Sequence, residues 1–272
     1  MIKNGAASLM VRLLHLPRAA SAPTCPRRHR HHHHHLALLS SLRLRAPAPA
    51  AAAAMSSAAA AQEVADQKRA LRSEVRRALR ALTPEQRASE DQAIQNAILN
   101  SSWFKESKRL CAYISCAQLR EVDTSKVLSE VLSPNSEHGH AKDLYVPRVE
   151  DKNRNMRMLK ITTMDDLVKN SMNILEPSPL DASGNAREEG QAFDRTGRRL
   201  GRGGGYYDTF LMRYQELAKE KGWDQPLLVA LSYSVQILEE GIIPVNSTDV
   251  PIDALVSSSG IIPISPAALA RI

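Results

Sequence analysis

Two unbroken apolar runs constrain this chain most: Leu110-Cys111-Ala112-Tyr113-Ile114 and Leu227-Leu228-Val229-Ala230-Leu231. A strand with one wet face alternates apolar and polar residues. A run with no polar member belongs to a strand covered on both faces, and such strands sit in parallel sheets between helical layers. Further strands are expected at Asp143–Val149, Met156–Ile161 and Ala254–Ser257. Helical stretches alternate with them. Val64, Leu71, Val75, Leu79 and Leu82 share one helical face. Thr83-Pro84-Glu85-Gln86 has the form of a capping box with proline at the first helical position, opening a second helix to about Asn100. Thr124–Leu132 and Tyr206–Leu217 read as two more helices, the latter with Tyr207, Phe210, Leu211, Tyr214 and Leu217 on one face. The alternation predicts an α/β fold: a three-layer α/β/α domain with a mostly parallel sheet.

The net charge of +7 suggests an acidic partner until its location is traced. Residues 1–62 hold Lys3, Arg12, Arg18, Arg27, Arg28, Arg30, Arg43 and Arg45 and no acid; the first is Glu63. Those eight of the 36 Lys and Arg leave 28 against 29 acids, so the remainder stands at −1. The basic balance belongs to the leader, and nucleic-acid binding by the whole protein loses its main support. A basic, hydroxylated, acid-free stretch has the composition of a mitochondrial or plastid transit peptide. Residues 1–61 are therefore read as a transit peptide and Ala/Pro linker, disordered and handled by organelle import machinery. Residues 62–272 are read as the catalytic domain. The richness in Arg favours the mitochondrion over the plastid, and Met55 offers a second start that would leave a cytosolic form. His29 and His31–His35 read as low-complexity drift rather than a metal site. No apolar stretch approaches the ~18 residues of a membrane span. Cys25, Cys111 and Cys116 make no disulfide framework.

The most informative stretch is Gly197-Arg198-Arg199-Leu200-Gly201-Arg202-Gly203-Gly204-Gly205-Tyr206-Tyr207-Asp208. Four glycines in five positions let backbone N–H groups close on a ligand. The loop runs straight into a helix whose N-terminus carries partial positive charge, which makes an anion cradle. Arg199 and Arg202 add charge suited to phosphate oxygens. The spacing is neither that of a Walker A loop nor that of a dinucleotide-binding loop. An arginine–glycine RNA-binding segment is the competing reading, and passage into an amphipathic helix argues against it.

Arg199 to Asp208 resembles the signature of the 5-formyltetrahydrofolate cyclo-ligase family, also called methenyltetrahydrofolate synthetases. Lys68-Arg69-Ala70-Leu71-Arg72, Tyr113-Ile114-Ser115 through Glu121-Val122-Asp123-Thr124, Val146-Pro147-Arg148, Glu176-Pro177 and Pro251-Ile252-Asp253-Ala254-Leu255-Val256 resemble further family segments in the same order. The resemblance covers about residues 65–257. It implies ATP-dependent cyclisation of 5-formyltetrahydrofolate to 5,10-methenyltetrahydrofolate, with Mg²⁺ as cofactor and ATP as co-substrate. It implies ATP contacts from Lys68, Arg69, Arg72, Arg199, Leu200, Gly201, Arg202, Gly203, Gly204, Gly205, Tyr206 and Tyr207. It implies folate contacts from Ile114, Glu121, Arg202, Gly203, Gly204, Gly205 and Tyr206, a catalytic role for Arg202, and metal association for Asp208 and Asp253. Read alone, these residues have plainer roles. Lys68 suits a snorkelling lysine, Asp208 a carboxylate drawn to a helix N-terminus, Asp253 a turn residue and Ile114 a core side chain.

One departure stands out. Family members continue from an Arg-Glu-Glu-like stretch through an Asp-Leu-x-x-x-Pro-Gly segment into Phe-Asp, whereas here Arg187-Glu188-Glu189-Gly190-Gln191 joins Ala192-Phe193-Asp194 directly. The missing stretch has room for one strand of ~5 residues. One core position of the sheet is expected to be empty or filled by Gln191–Phe193, with residues 178–200 the least ordered part of the domain. A folate- or nucleotide-binding isoform without catalysis is the alternative function.

Overall fold

The computed structural model describes residues 7–11, 49–133, 142–171, 173–187, 200 and 203–272, with backbone alone for 7–11 and 49–57. The strands are β1 (Ala7–Val11), β2 (Arg109–Cys111), β3 (Asp143–Val149), β4 (Met156–Ile161), β5 (Leu167–Lys169), β6 (Leu175–Pro177), β7 (Leu227–Leu231), β8 (Ala254–Ser257) and β9 (Gly260–Pro263). The helices are α1 (Pro49–Ala81), α2 (Pro84–Asn100), α3 (Ser102–Glu106), α4 (Ser125–Leu132), α5 (Tyr206–Lys221) and α6 (Pro266–Leu269). Among the described residues no helix is long and apolar enough to cross a membrane.

Seven strands form one sheet in the order β4-β3-β2-β1-β7-β8-β9, and β5 pairs with β6 apart from it. The five inner strands are parallel, and β4 and β9 close the edges as antiparallel partners. The expected three layers are present. On one face Leu110, Leu144, Val146, Leu227, Val229 and Val256 pack with Ile94 and Ile98 of α2, Phe104 of α3 and Val127 and Leu128 of α4. On the other, Cys111, Tyr145, Leu228 and Ala230 pack with Tyr207, Phe210, Leu211 and Tyr214 of α5. All five residues of β7 are buried, as an unbroken apolar run requires, and each large side chain so covered contributes about 1.5–3 kcal/mol.

Local signals hold where they are chemically specific. Thr83 Oγ1 accepts from Gln86 N at 3.2 Å and Gln86 Oε1 accepts from Thr83 N at 2.9 Å, completing the capping box of α2. Gly222, at φ 63°, ends α5 in the left-handed region that glycine enters without penalty.

Three expectations need correction. The central sheet position is occupied by Ala7–Val11, a piece of the leader, rather than left vacant or taken by Gln191–Phe193, which lie outside the described residues. The first helix opens at Pro49, ahead of Glu63, because the alanine-rich linker is itself strongly helix-forming. Only Leu110 and Cys111 of the Leu110–Ile114 run lie in a strand, and Ala112, Tyr113 and Ile114 are buried coil. The strand's ladder ends after Ala112 N donates to Tyr145 O at 2.9 Å, and the chain then turns so that Tyr113 Oη donates to Val122 O at 2.9 Å.

Candidate active site

In a parallel sheet the loops leaving the strand carboxyl ends converge on one edge, where ligands gather. The loop after β3 lies there, and Tyr206 Oη donates to Asp151 O in it at 3.1 Å. This contact fixes the N-terminus of α5 at the carboxyl edge. The 3₁₀ turn Ser234–Gln236, which follows β7, lies on the same edge and packs against α1.

Two groups of residues assemble along α1. In the first, the buried Lys68 donates to Asp249 Oδ2, which also accepts from Asn246 N at 2.8 Å. Asp208 Oδ1 accepts from Val250 N at 3.2 Å, so the first turn of α5 lies beside that carboxylate. A Cβ on Gly203 would stand 3.5 Å from Arg72 Cζ, and one on Gly205 would stand 3.4 Å from Arg154 Cζ. Gly203 and Gly205 have φ of 96° and 70°, values that a side chain would strain. The N-cap position of α5 is Gly205, which brings no side chain to it. Guanidinium groups therefore close on glycine backbone at a helix N-terminus. The Arg72 guanidinium is held below its ordinary pKa, chiefly by burial and then by Arg76; Asp249 and Asp208 oppose the shift.

The second group lies farther along α1, where Arg120 Nη1 donates to Leu79 O at 3.2 Å. From Lys68 to Leu79 the helix climbs roughly 16 Å. Ile114 and Glu121 are both buried here, and Glu121 Oε2 accepts from Cys116 N at 2.8 Å. Tyr233 Oη reaches Asp91 Oδ1 at 2.8 Å and Glu121 O at 3.0 Å. Burial, then the bond to Asp91, pushes the Tyr233 phenol well above its usual range. Burial likewise raises the Asp91 carboxyl, against the bonds from Asp123 N and Tyr233.

The expected site residues thus divide. Lys68, Arg72, Gly203, Gly205 and Asp208 come together; Gly204 lies between the two glycines, with Tyr206 and the buried Tyr207 opening α5 behind them. Ile114 and Glu121 form the second group. Arg69 points away and pairs with Asp66 on the exposed side of α1. Arg199, Gly201 and Arg202 lie outside the described residues, and Leu200 is half-buried between undescribed neighbours.

Asp253 has a seat of its own. It is fully buried, its Oδ2 accepts from Leu228 N at 2.8 Å, and its Oδ1 accepts from Ser265 Oγ. Its carbonyl accepts from Ile264 N and Ser265 N at 2.8 and 3.1 Å. Asp91, Arg154, Tyr233 and Asp249 were missed from sequence. A tyrosine or acid in a loop carries no signal without its partner; only the turn Asn246-Ser247-Thr248-Asp249 offered a local clue.

Magnesium takes one or two carboxylates together with phosphate oxygens and water. Asp208 fits that demand, at a helix start beside the glycine backbone and two basic side chains. Asp253 suits it less, being fully buried with each of its oxygens accepting from a protein donor. Among the described residues no three His, Cys, Asp or Glu side chains gather as a ligand set.

A glycine cradle under basic side chains accommodates many phosphate ligands, and similarity to known proteins narrows the choice. The model of the 5-formyltetrahydrofolate cyclo-ligase family matches residues 64–258. The chain belongs to that family. The mitochondrial 5-formyltetrahydrofolate cyclo-ligase of Arabidopsis thaliana is 61% identical over 216 residues, covering 74% of this chain and 78% of the relative. The mouse 5-formyltetrahydrofolate cyclo-ligase is 30% identical over 210 residues, covering 71% and 95%. The solution structure of 5,10-methenyltetrahydrofolate synthetase from Aquifex aeolicus superposes with a TM-score of 0.54 at 26% identity, covering 72% of this chain and 92% of that one. Both groups of residues described above lie inside the cyclo-ligase match, whereas β1 lies outside it.

Proposed function

We propose that this chain is a 5-formyltetrahydrofolate cyclo-ligase that uses ATP to close the ring of 5,10-methenyltetrahydrofolate. The observation that carries the reading is the meeting of Lys68, Arg72, Gly203, Gly205 and Asp208 at the carboxyl edge of the sheet. An amide oxygen is a poor leaving group and phosphate a good one, so ring closure needs the formyl oxygen to be phosphorylated. That oxygen attacks the γ-phosphorus of ATP, and ADP leaves. N10 then attacks the formyl carbon and gives up its proton, and phosphate departs.

The residues supply position and charge, which is most of what phosphoryl transfer asks of a protein. Lys68 and Arg72 face the phosphates, and the glycine backbone lets its N–H groups approach them. Arg202 is assigned the charge that develops on the transferring group. Asp208 would hold Mg²⁺, which when bound neutralises phosphate oxygens. Asp253 is given a structural role instead. Ile114 and Glu121 are assigned to the folate, whose length suits a site extended along α1.

The test is direct. The purified full chain, given 5-formyltetrahydrofolate, ATP and Mg²⁺, is expected to form the methenyl product, followed by its ultraviolet absorbance. Thermal stabilisation by both ligands with no product would assign the chain a binding role and sink the enzymatic one.

The same reading extends to the mitochondrion, supported by the leader's composition and by the mitochondrial Arabidopsis relative. A reporter carrying residues 1–61 is expected in mitochondria; one that stays in the cytosol, or enters plastids, would overturn the assignment.

A further inference from the structure

The middle of the sheet is completed by a segment from far up the chain. β1 lies between β2 and β7, in register with three residues of one and four of the other. Which backbone groups it satisfies follows from alternation along its neighbours. Ala112 N donates to β3, while Leu228 exchanges bonds with Asp253 on the β8 side. Cys111 and Val229 therefore turn their N–H and C=O groups toward β1. Both residues are in dry core, 4% and 0% exposed. Without β1 their amides would have neither partner nor water, and the sheet would part into β4-β3-β2 and β7-β8-β9.

The segment suits the slot. Ala7-Ser8-Leu9-Met10-Val11 is uncharged and free of proline and glycine. By register Leu9 and Val11 fall on the face of Cys111 and Ala230, and Ser8 and Met10 on that of Leu110 and Val229. A second observation suggests why the slot is open to it. The match to the Arabidopsis protein runs over 216 positions yet uses 74% of the 272 residues here, about 201, so about 15 positions of the relative have no counterpart in this chain. A gap of that size accommodates the strand-bearing segment missing between Glu189 and Ala192.

We infer that the gap between β2 and β7 is a strand-accepting site, and that Ala7–Val11 of the leader is its occupant, donated in cis to the core. The ligand class is a short, extended, uncharged apolar strand running parallel to both neighbours. The leader is then part of the fold for as long as the chain keeps it, and its removal, on import as in a test, opens the sheet. None of this depends on the reaction catalysed.

The test reads hydrogen exchange at the Cys111 and Val229 amides, with the melting temperature, in the full chain. Leu9→Pro with Met10→Pro breaks the donated strand; Leu38→Pro with Leu39→Pro, in the same leader but outside it, is the control. The first pair is expected to lower the melting temperature by at least about 5 °C and to make both amides exchange tenfold faster or more, and the control to change neither. Inserting a family-like Asp-Leu-x-x-x-Pro-Gly strand between Glu189 and Ala192 is expected to cancel the effect of the first pair. Unchanged exchange and melting in that pair, without the insertion, overturn the inference. Should the pair fail to fold, a full chain with a protease site inserted near residue 24 is folded and then cut. Co-elution of the N-terminal fragment with the domain supports the inference. Loss of the fragment with both amides still protected refutes it.

Discussion

Asp208→Asn is expected to lower turnover at least about 100-fold, the order of loss that follows when a reacting group is mispositioned by an ångström, while the melting temperature stays near that of the parent. The asymmetry comes from what the carboxylate does for the fold. Its Oδ1 accepts a hydrogen bond from Val250 N at 3.2 Å, and an amide oxygen can accept the same bond. Its charge at the start of α5 contributes only about 0.3–1 kcal/mol. What asparagine cannot replace is the negative charge beside Arg72 and the glycine backbone, where phosphates and their magnesium are proposed to sit. Asp208→Ala removes the bond as well, adding about 1 kcal/mol of destabilisation. Steady-state turnover, folate affinity and thermal melting on the two variants separate these contributions. An Asp208→Asn protein with full turnover would remove the metal role assigned to this residue. One that loses folate affinity as steeply as turnover would move Asp208 to the folate end.

The sequence makes the sheet legible where a strand's own residues decide its burial. The runs at β2 and β7 specify strands covered on both faces, and the capping box specifies the start of α2, because each is a local pattern with a local cause. β1 is different. Ala-Ser-Leu-Met-Val is apolar enough for a strand, but it lies in a basic, acid-free leader whose composition points to targeting. Nothing in five residues says that a slot between β2 and β7, both far along the chain, lacks a strand. That fact is non-local, set by the edges of β2 and β7.

The site divides in the same way. Lys68 and Arg72 lie four residues apart on one helix, and the glycine loop runs into another, so both halves of the first group carry a signal. Their junction does not. Asp249 becomes readable only once Lys68 Nζ is seen against it, and Tyr233 only once its hydroxyl is seen between Asp91 and Glu121. Arg69 shows the converse: a motif residue adjacent to Lys68 whose side chain the helix turns outward to Asp66.

Asp253→Ala is expected to cost the domain about 3 kcal/mol or more, against a typical net stability of about 5–15 kcal/mol. From its place just before β8, the carboxylate holds two further elements: the start of β7 through Leu228 N, and the segment after β9 through Ser265 Oγ. Removing it leaves the Leu228 amide and the Ser265 hydroxyl buried with no acceptor, and each buried donor so orphaned costs about 1–3 kcal/mol. Asp253→Asn should fall between parent and alanine, because an amide can accept one of the two bonds but turns an N–H toward the other donor. Ser265→Ala should cost about 1 kcal/mol: it removes one donor to Asp253 and the cap that accepts from Ala268 N at 3.2 Å. Chemical denaturation of the three variants, with and without Mg²⁺, distinguishes this role from metal binding. If Asp253 were a ligand, its asparagine variant would keep the parent's stability in metal-free buffer and lose only the part that Mg²⁺ and ATP confer. A fall in metal-free stability graded from serine to asparagine to alanine is the signature of a buried staple, because the loss then follows the number of protein donors left without an acceptor.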